Sequence, residues 1–244
     1  MSAEFNFRNE LGALFRRVQE DSRLEVVNYQ LGDPVSNPEM AVMEDRLGHE
    51  IPSSVKALYG SLGHATFQWR FSPALDEQTK GRVAEEFASA VSRGNLYSTA
   101  AAIRILPLGE VLFGEREELE DLKEVAGEGV FEFFGSSYAE GEFVNMLRPF
   151  DEVNEFFVMA LVVRAEDPDW KLMLLQDYWA DYESSRTVSL DDYLRFTVST
   201  LGLVNARAEL FGEYRGYRRE SLSYSSEIAS SKVPPMLRSL AAIL

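Results

Sequence analysis

An uninterrupted apolar run, Phe156 to Val163, constrains the fold of this chain more than any other feature. Side chains of a strand alternate between its two faces, so eight consecutive apolar residues leave neither face for water. The run is too short to cross a bilayer as a helix, which takes about 20 residues. It therefore predicts a central strand that is buried on both faces of a sheet.

Further strands are predicted on either side of this run. The turn Asp167-Pro168-Asp169 joins the run to a second strongly apolar segment and favours an antiparallel pair. Shorter apolar or alternating segments indicate strands earlier in the chain. The predicted strands are Thr66–Phe71, Ile103–Leu108, Val130–Phe134, Phe156–Arg164 and Trp170–Gln176.

Helical periodicity occurs in six segments of the chain. Apolar residues recur at helical spacing in Phe7–Gln19, Pro38–Leu47, Pro52–Leu62, Asp76–Arg93, Glu115–Val125 and Ser189 to about Phe211, the longest. Asn37 is predicted to cap the second helix and Ser189 the last one. This order predicts an α+β fold, in which N-terminal helices pack on a mainly antiparallel β-sheet and a long C-terminal helix closes it.

A cluster of helix-breaking residues, Gly32 to Pro38, indicates a boundary near the N-terminus. The predicted organisation is an N-terminal helical extension over 1–31 and an α+β domain over 37–211. The domain carries an inserted helix around 76–93, and residues 212–244 form a C-terminal extension.

Composition excludes several classes of function. A net charge of −16 disfavours direct binding to nucleic acids and to anionic membranes. The start of the chain lacks the pattern of a signal peptide, so we expect a cytoplasmic protein. With no cysteine, disulfide and thiolate chemistry are excluded.

Residues for metal or cofactor chemistry are scarce. His49 and His64 are the only histidines, and a zinc site takes three or four ligands, which leaves only a mixed histidine and carboxylate site as an alternative. Neither a phosphate-binding loop nor a dinucleotide-binding glycine motif occurs. We therefore expect no cofactor, no metal and no catalytic site. A carboxylate pair for hydrolysis remains the alternative.

The negative charge is unevenly distributed along the chain. Gly109 to Glu155 contains fourteen acids and three bases, whereas Val204 to the end contains four acids and six bases. Aromatic and acidic residues mix just after the last strong strand, a composition typical of interfaces. The alternative is a solvated, solubilising helix face. The predicted partner-binding residues are Glu117, Glu118, Asp121, Glu140, Glu142, Asp177, Tyr178, Trp179 and Asp181.

The segment Met40 to Gly63 resembles the opening signature of the SUKH superfamily. That signature comprises a helix with an acid, a Leu-Gly pair, an aliphatic-Pro pair, a second helix with an aromatic residue, and a glycine. The matching positions are Glu44, Leu47, Gly48, Ile51, Pro52, Leu58, Tyr59 and Gly63. The segments 103–108, 156–177 and 188–194 are similar to the later strands and final helix of the family.

The resemblance implies a binding module without catalytic residues. Many bacterial members of the family are immunity proteins that neutralise secreted toxins, often nucleases, and fungal members are regulators that act by protein binding. Our interpretation is an immunity protein that binds a basic toxin domain through an acidic surface. A regulatory or scaffold protein of the same fold, or a carboxylate-based hydrolase, is the alternative.

Overall fold

The computed structural model describes residues 5–79, 101–114, 130–133, 136–152, 157–176, 187–203 and 207. In chain order, its elements are α1 (Phe7–Glu20), β1 (Leu24–Leu31), α2 (Asn37–Leu47), α3 (Ser53–Tyr59), β2 (Ala65–Phe71), β3 (Ala101–Ile105), α4 (Leu108–Phe113), β4 (Val130–Phe133), β5 (Ser136–Ala139), α5 (Glu140–Val144), β6 (Leu147–Glu152), β7 (Phe157–Val162), β8 (Lys171–Gln176), β9 (Val188–Ser189) and α6 (Leu190–Ser199).

Seven strands form one sheet in the order β1-β2-β3-β6-β7-β8-β9. Every neighbouring pair in it is antiparallel. Strands β4 and β5 form a separate hairpin. Helices precede and follow the strands, so the predicted α+β class with a mainly antiparallel sheet is confirmed.

Strand β7 lies inside the sheet, between β6 and β8, and is buried on both faces as predicted. Met159 and Leu161 point into one hydrophobic core, whereas Val158, Ala160 and Val162 point into a second core on the opposite face. The continuous apolar run is explained by this double burial, because each alternate set of side chains meets a packed layer.

The first core is the larger one and lies beneath the helices. Leu11 of α1, Val55 of α3 and Tyr193 of α6 are fully buried in it. The second core lies under the short helix α5, whose Phe143 and Val144 pack on β6, β7 and β8. The sheet therefore separates two layers of unequal size.

The prediction of a helical extension over 1–31 is wrong for residues 24–31, which form β1 at the edge of the sheet. β1 pairs with β2 from Leu24↔Phe71 to Leu31↔Ala65, with a bulge at Val27. Helix α1 packs in the same core as the sheet. An edge strand pairs with one neighbour only and is more exposed to solvent. Polar residues and a bulge therefore interrupt the alternation of apolar and polar residues by which a strand is predicted from sequence.

The last helix is shorter than predicted. Ser189 caps α6 as expected, and its hydroxyl accepts from the N–H of Asp192 at 3.1 Å. The helix nevertheless ends at Ser199, because Leu201 (φ 57°) and Gly202 (φ 71°) adopt left-handed conformations. With 14 residues, α1 is longer than the ten-residue α6.

Other boundaries differ by a few residues. Ser36, not Asn37, caps α2, and it forms a reciprocal capping box with Glu39. Leu108 begins α4 instead of ending a strand. The inserted helix around 76–93 is described only to Thr79, and the predicted helix 115–125 and the extension 212–244 lie outside the described residues.

We expect Gly48→Ala to lower the free energy of unfolding by about 1 kcal/mol, because Gly48 has φ +83°, a conformation that costs energy for any residue with a Cβ. The added Cβ meets nothing within 4 Å, so the backbone conformation alone accounts for this cost. Gly141→Ala is the matched control: its Cβ also enters open space, but its backbone is not left-handed, so the variant should keep or gain stability. Urea unfolding of both variants measures the difference. Equal effects at the two positions would contradict this account.

Candidate binding surface

The corner between α2 and α3 is built by the residues of the family signature. Gly48 ends α2 in the left-handed conformation, and its N–H donates to the carbonyl of Glu44. The carboxylate of Glu44 accepts from the N–H of Ile51 at 2.7 Å and pairs with Lys56 at 2.6 Å. Lys56 and this N–H hold the pKa of Glu44 below its ordinary value. One side chain thus ties the end of one helix to the next.

The remaining signature residues also support the fold. The Tyr59 hydroxyl donates to the carbonyl of Leu106 at 2.7 Å, which joins α3 to the end of β3. A Cβ on Gly63 would lie 2.2 Å from the carbonyl oxygen of Asp33, so only glycine fits there. Ile51 and Pro52 are buried and Leu47 is partly buried. The signature residues therefore determine the backbone geometry of the α2–α3 corner. Other side chains form the surface of this corner.

The β7–β8 connection packs against this corner. The hydroxyl of Ser54 donates to Asp169 at 3.2 Å, and Asp169 also pairs with Lys171. The ring of His49 meets Trp170 edge-on, with 5.8 Å between centroids. Among the described residues, neither histidine belongs to a cluster of three or more side chains that could hold a metal ion.

Two of the predicted partner-binding acids, Glu140 and Glu142, lie in the first turn of α5. Glu142 is exposed and Glu140 is partly exposed. Phe143 and Val144 anchor the helix in the second core, so the two carboxylates are held at the surface over that side of the sheet. A negative charge at a helix N-terminus is favourable, and these acids are stably placed.

The acids of residues 109–155 do not all lie on one face, so the prediction of a single acidic face is wrong in the described part. Glu110 belongs to α4, whose apolar residues enter the first core, while Glu140 and Glu142 lie over the second core. Asp151 is fully buried, and Glu152 pairs with Arg104 at 3.1 Å. The sheet separates helices that the sequence places close together.

The other predicted interface residues lie outside the described residues. These are Glu117, Glu118, Asp121, Asp177, Tyr178, Trp179 and Asp181.

Sequence reasoning missed a buried polar cluster formed by Asp151, Tyr193 and Arg207, none of which is exposed. Asp151 Oδ2 accepts from Arg207 Nη1 at 2.6 Å and from the Tyr193 hydroxyl at 2.6 Å. Burial raises the pKa of Tyr193 well above its ordinary value, so the phenol stays protonated and donates. An acid in β6 next to the buried Phe150 was the available signal, but its partner lies 56 residues away.

Comparison with protein-family models, curated proteins and solved structures finds no match for this chain. Within the described part of the chain, no helix is both long and apolar enough to span a bilayer. The likeness to the SUKH superfamily therefore rests on the signature residues of the α2–α3 corner and on the order of the elements.

We expect Glu44→Gln to lower the free energy of unfolding by about 1–2 kcal/mol at pH 7, because it removes the charge from the bonds to Ile51 and Lys56. Asp45→Asn is the control, since Asp45 is an exposed neighbour. The folded-state pKa of Glu44 is lowered, so its contribution is present above the unfolded-state pKa and is lost as pH falls through the folded-state value.

Chemical unfolding from pH 7 to pH 3 tests this expectation. The difference between Glu44→Gln and the wild type should shrink as the pH falls. A difference that stays constant with pH would assign the effect to packing instead of charge.

Proposed function

We propose that the chain is a non-catalytic protein-binding module of the SUKH type, acting in the cytoplasm as an immunity protein. Its partner would be a basic toxin domain, such as a nuclease. The positively charged cleft with which a nuclease holds nucleic acid is complementary to an acidic surface. Binding would block that cleft without any chemical step.

The observation that carries this proposal is the geometry of the α2–α3 corner. The signature needs one helix to stop and another to start within a few residues. Gly48 has the required positive φ of 83°, and the acid of the signature, Glu44, bonds to Ile51 across the turn. Both interactions agree with the geometry that the signature requires. This agreement supports the resemblance, and the resemblance supports the binding role.

The charge distribution supports a basic partner. The net charge is −16, and Glu140 and Glu142 stand at the surface on a helix anchored in the core. Exposed carboxylates steer a cationic partner and mainly raise the association rate. Screening shortens their range from about 10 Å at 0.1 M salt to about 3 Å at 1 M.

A charge-reversal pair tests the position of the surface. We expect Glu140→Lys/Glu142→Lys to slow association with a basic C-terminal toxin domain of a secreted protein, sought first in the reading frames beside this gene, by roughly tenfold at low salt. The matched control is Glu10→Lys/Glu20→Lys, which makes the same charge change on exposed positions of α1. Surface plasmon resonance at several salt concentrations measures both rates.

The control separates a local surface from overall charge. If both double variants slow association equally, net charge alone attracts the partner. If neither double variant slows association, α5 is not part of the interface. If the wild-type protein binds and neutralises no basic toxin domain, the immunity role itself is overturned.

Trp179 is the aromatic anchor in this proposal. Truncation of a central aromatic side chain typically costs about 2 kcal/mol or more and acts on the dissociation rate. We therefore expect Trp179→Ala to speed dissociation by roughly thirtyfold with little change in association, whereas Trp179→Phe should retain most of the affinity. An unchanged dissociation rate would place the anchor elsewhere.

A further inference from the structure

The seven-stranded sheet has a seam between β3 and β6. Among the described residues, these two strands share one pair of facing residues, Ile105↔Asp151, whereas β2 and β3 share five. One further backbone bond, from the N–H of Leu106 to the carbonyl of Phe150, follows it. β6 carries a bulge between Pro149 and Asp151, and proline has no N–H to donate. In the described part of the chain, the backbone ladder between β3 and β6 is therefore shorter than the one between β2 and β3.

Side chains add further bonds to β3 at this seam. Asp151 Oδ1 accepts from the backbone N–H of Arg104 at 2.7 Å, so a carboxylate of β6 bonds to β3. Arg207 Nη2 donates to the carbonyl of Ala102 in β3 and to that of Gly202 at 3.2 Å. Arg207 thus satisfies a backbone carbonyl of β3 with a side-chain donor.

The acceptors around Arg207 form a slot with the dimensions of a guanidinium group. Nη1 donates to Asp151 Oδ2 at 2.6 Å and to the Tyr193 hydroxyl at 3.2 Å. Together with the two carbonyls, four oxygen acceptors surround the two terminal nitrogens. The slot is enclosed, because the side chains of Asp151 and Arg207 have no exposed surface.

We propose that this slot is a guanidinium-binding site, which Arg207 fills from within the chain, and that its occupancy holds the β3–β6 seam closed. The proposal is independent of the toxin-binding role. All four hydrogen bonds come from the two terminal nitrogens, and Nε is buried without a partner. The carbon chain of Arg207 delivers the group to the slot, so a free guanidinium ion can make the same four bonds.

An ammonium ion does not fit this arrangement equally well. A lysine nitrogen is a compact point charge, whereas the planar guanidinium presents its donors in a fork. One nitrogen cannot reach Asp151 and Tyr193 on one side and both carbonyls on the other in the way that two nitrogens do. The slot should therefore discriminate between the two cations.

The experiment is chemical rescue of Arg207→Ala in the full-length protein. Loss of one partner leaves Asp151 buried and unpaired, so we expect the melting temperature to fall by roughly 10 °C. Amide hydrogen exchange should rise first at Arg104 and its neighbours in β3. Guanidinium chloride at about 20 mM, far below denaturing concentrations, should restore a part of both losses.

Ammonium chloride and sodium chloride at the same concentration are the ionic controls and should restore neither. The double variant Arg207→Ala/Asp151→Asn should lose the rescue, because the charged acceptor is gone. Equal rescue by all three salts, or undiminished rescue of the double variant, would overturn the guanidinium site.

Arg207→Lys keeps the test decisive where Arg207→Ala does not fold. It retains the charge but not the fork, so we expect an intermediate melting temperature with faster exchange confined to β3 and β6. Wild-type melting and exchange in Arg207→Lys would show that charge alone closes the seam and would refute the proposal.

Discussion

The buried ion pair between Asp151 and Arg207 is the interaction on which the two halves of the sheet depend. Taking both charges out of water is costly, and only a full set of hydrogen bonds offsets that cost. Here the carboxylate accepts three bonds, from Arg104, Tyr193 and Arg207. Strands β1, β2 and β3 are thereby joined to β6 and the strands beyond it by side chains as well as by the backbone bond from Leu106 to Phe150.

The end of α6 is held by the same region. Trp69 in β2 donates from its indole nitrogen to the carbonyl of Leu201 at 2.7 Å, and Gly202 offers its carbonyl to Arg207. Gly202 also lies against Ile103, where an added Cβ would come within 2.9 Å of the side chain. The left-handed residues after α6 are therefore fixed by the sheet, and the helix stops because its continuation would forgo these contacts.

The fold could be predicted where a local pattern carries it. The apolar run around β7 predicts a central strand, and Gly48 with Pro52 predicts the α2–α3 corner. Each of these signals is contained in a short segment of the sequence. The end of α6 could not be predicted, since the apolar spacing continues past Ser199 and only tertiary contacts turn the backbone at Leu201. The edge strand β1 was not predicted, because a bulge and polar residues interrupt its alternation of apolar and polar residues.

The candidate surface was less accessible to sequence reasoning than the fold. The acids of residues 109–155 are close in sequence, so the charge count predicts that they share one face. In the structure, Glu110 and Glu142 lie on opposite sides of the sheet and Asp151 is buried. Counting charges records proximity along the chain, whereas the layers decide proximity in space. The pairing of Asp151 with Arg207 spans 56 residues and leaves no local trace.

The double burial of β7 also has a consequence for how the chain must be synthesised and folded. An uncharged, proline-free apolar segment is a ready template for cross-β aggregation whenever it is uncovered. On the ribosome, β7 is synthesised before β8 and α6. It therefore stays partly exposed to solvent until these later elements are synthesised. Arg164, directly after the run, supplies the kind of flanking charge that discourages self-association during that interval. A strand that is buried on both faces in the finished protein is thus a segment that needs protection during biosynthesis.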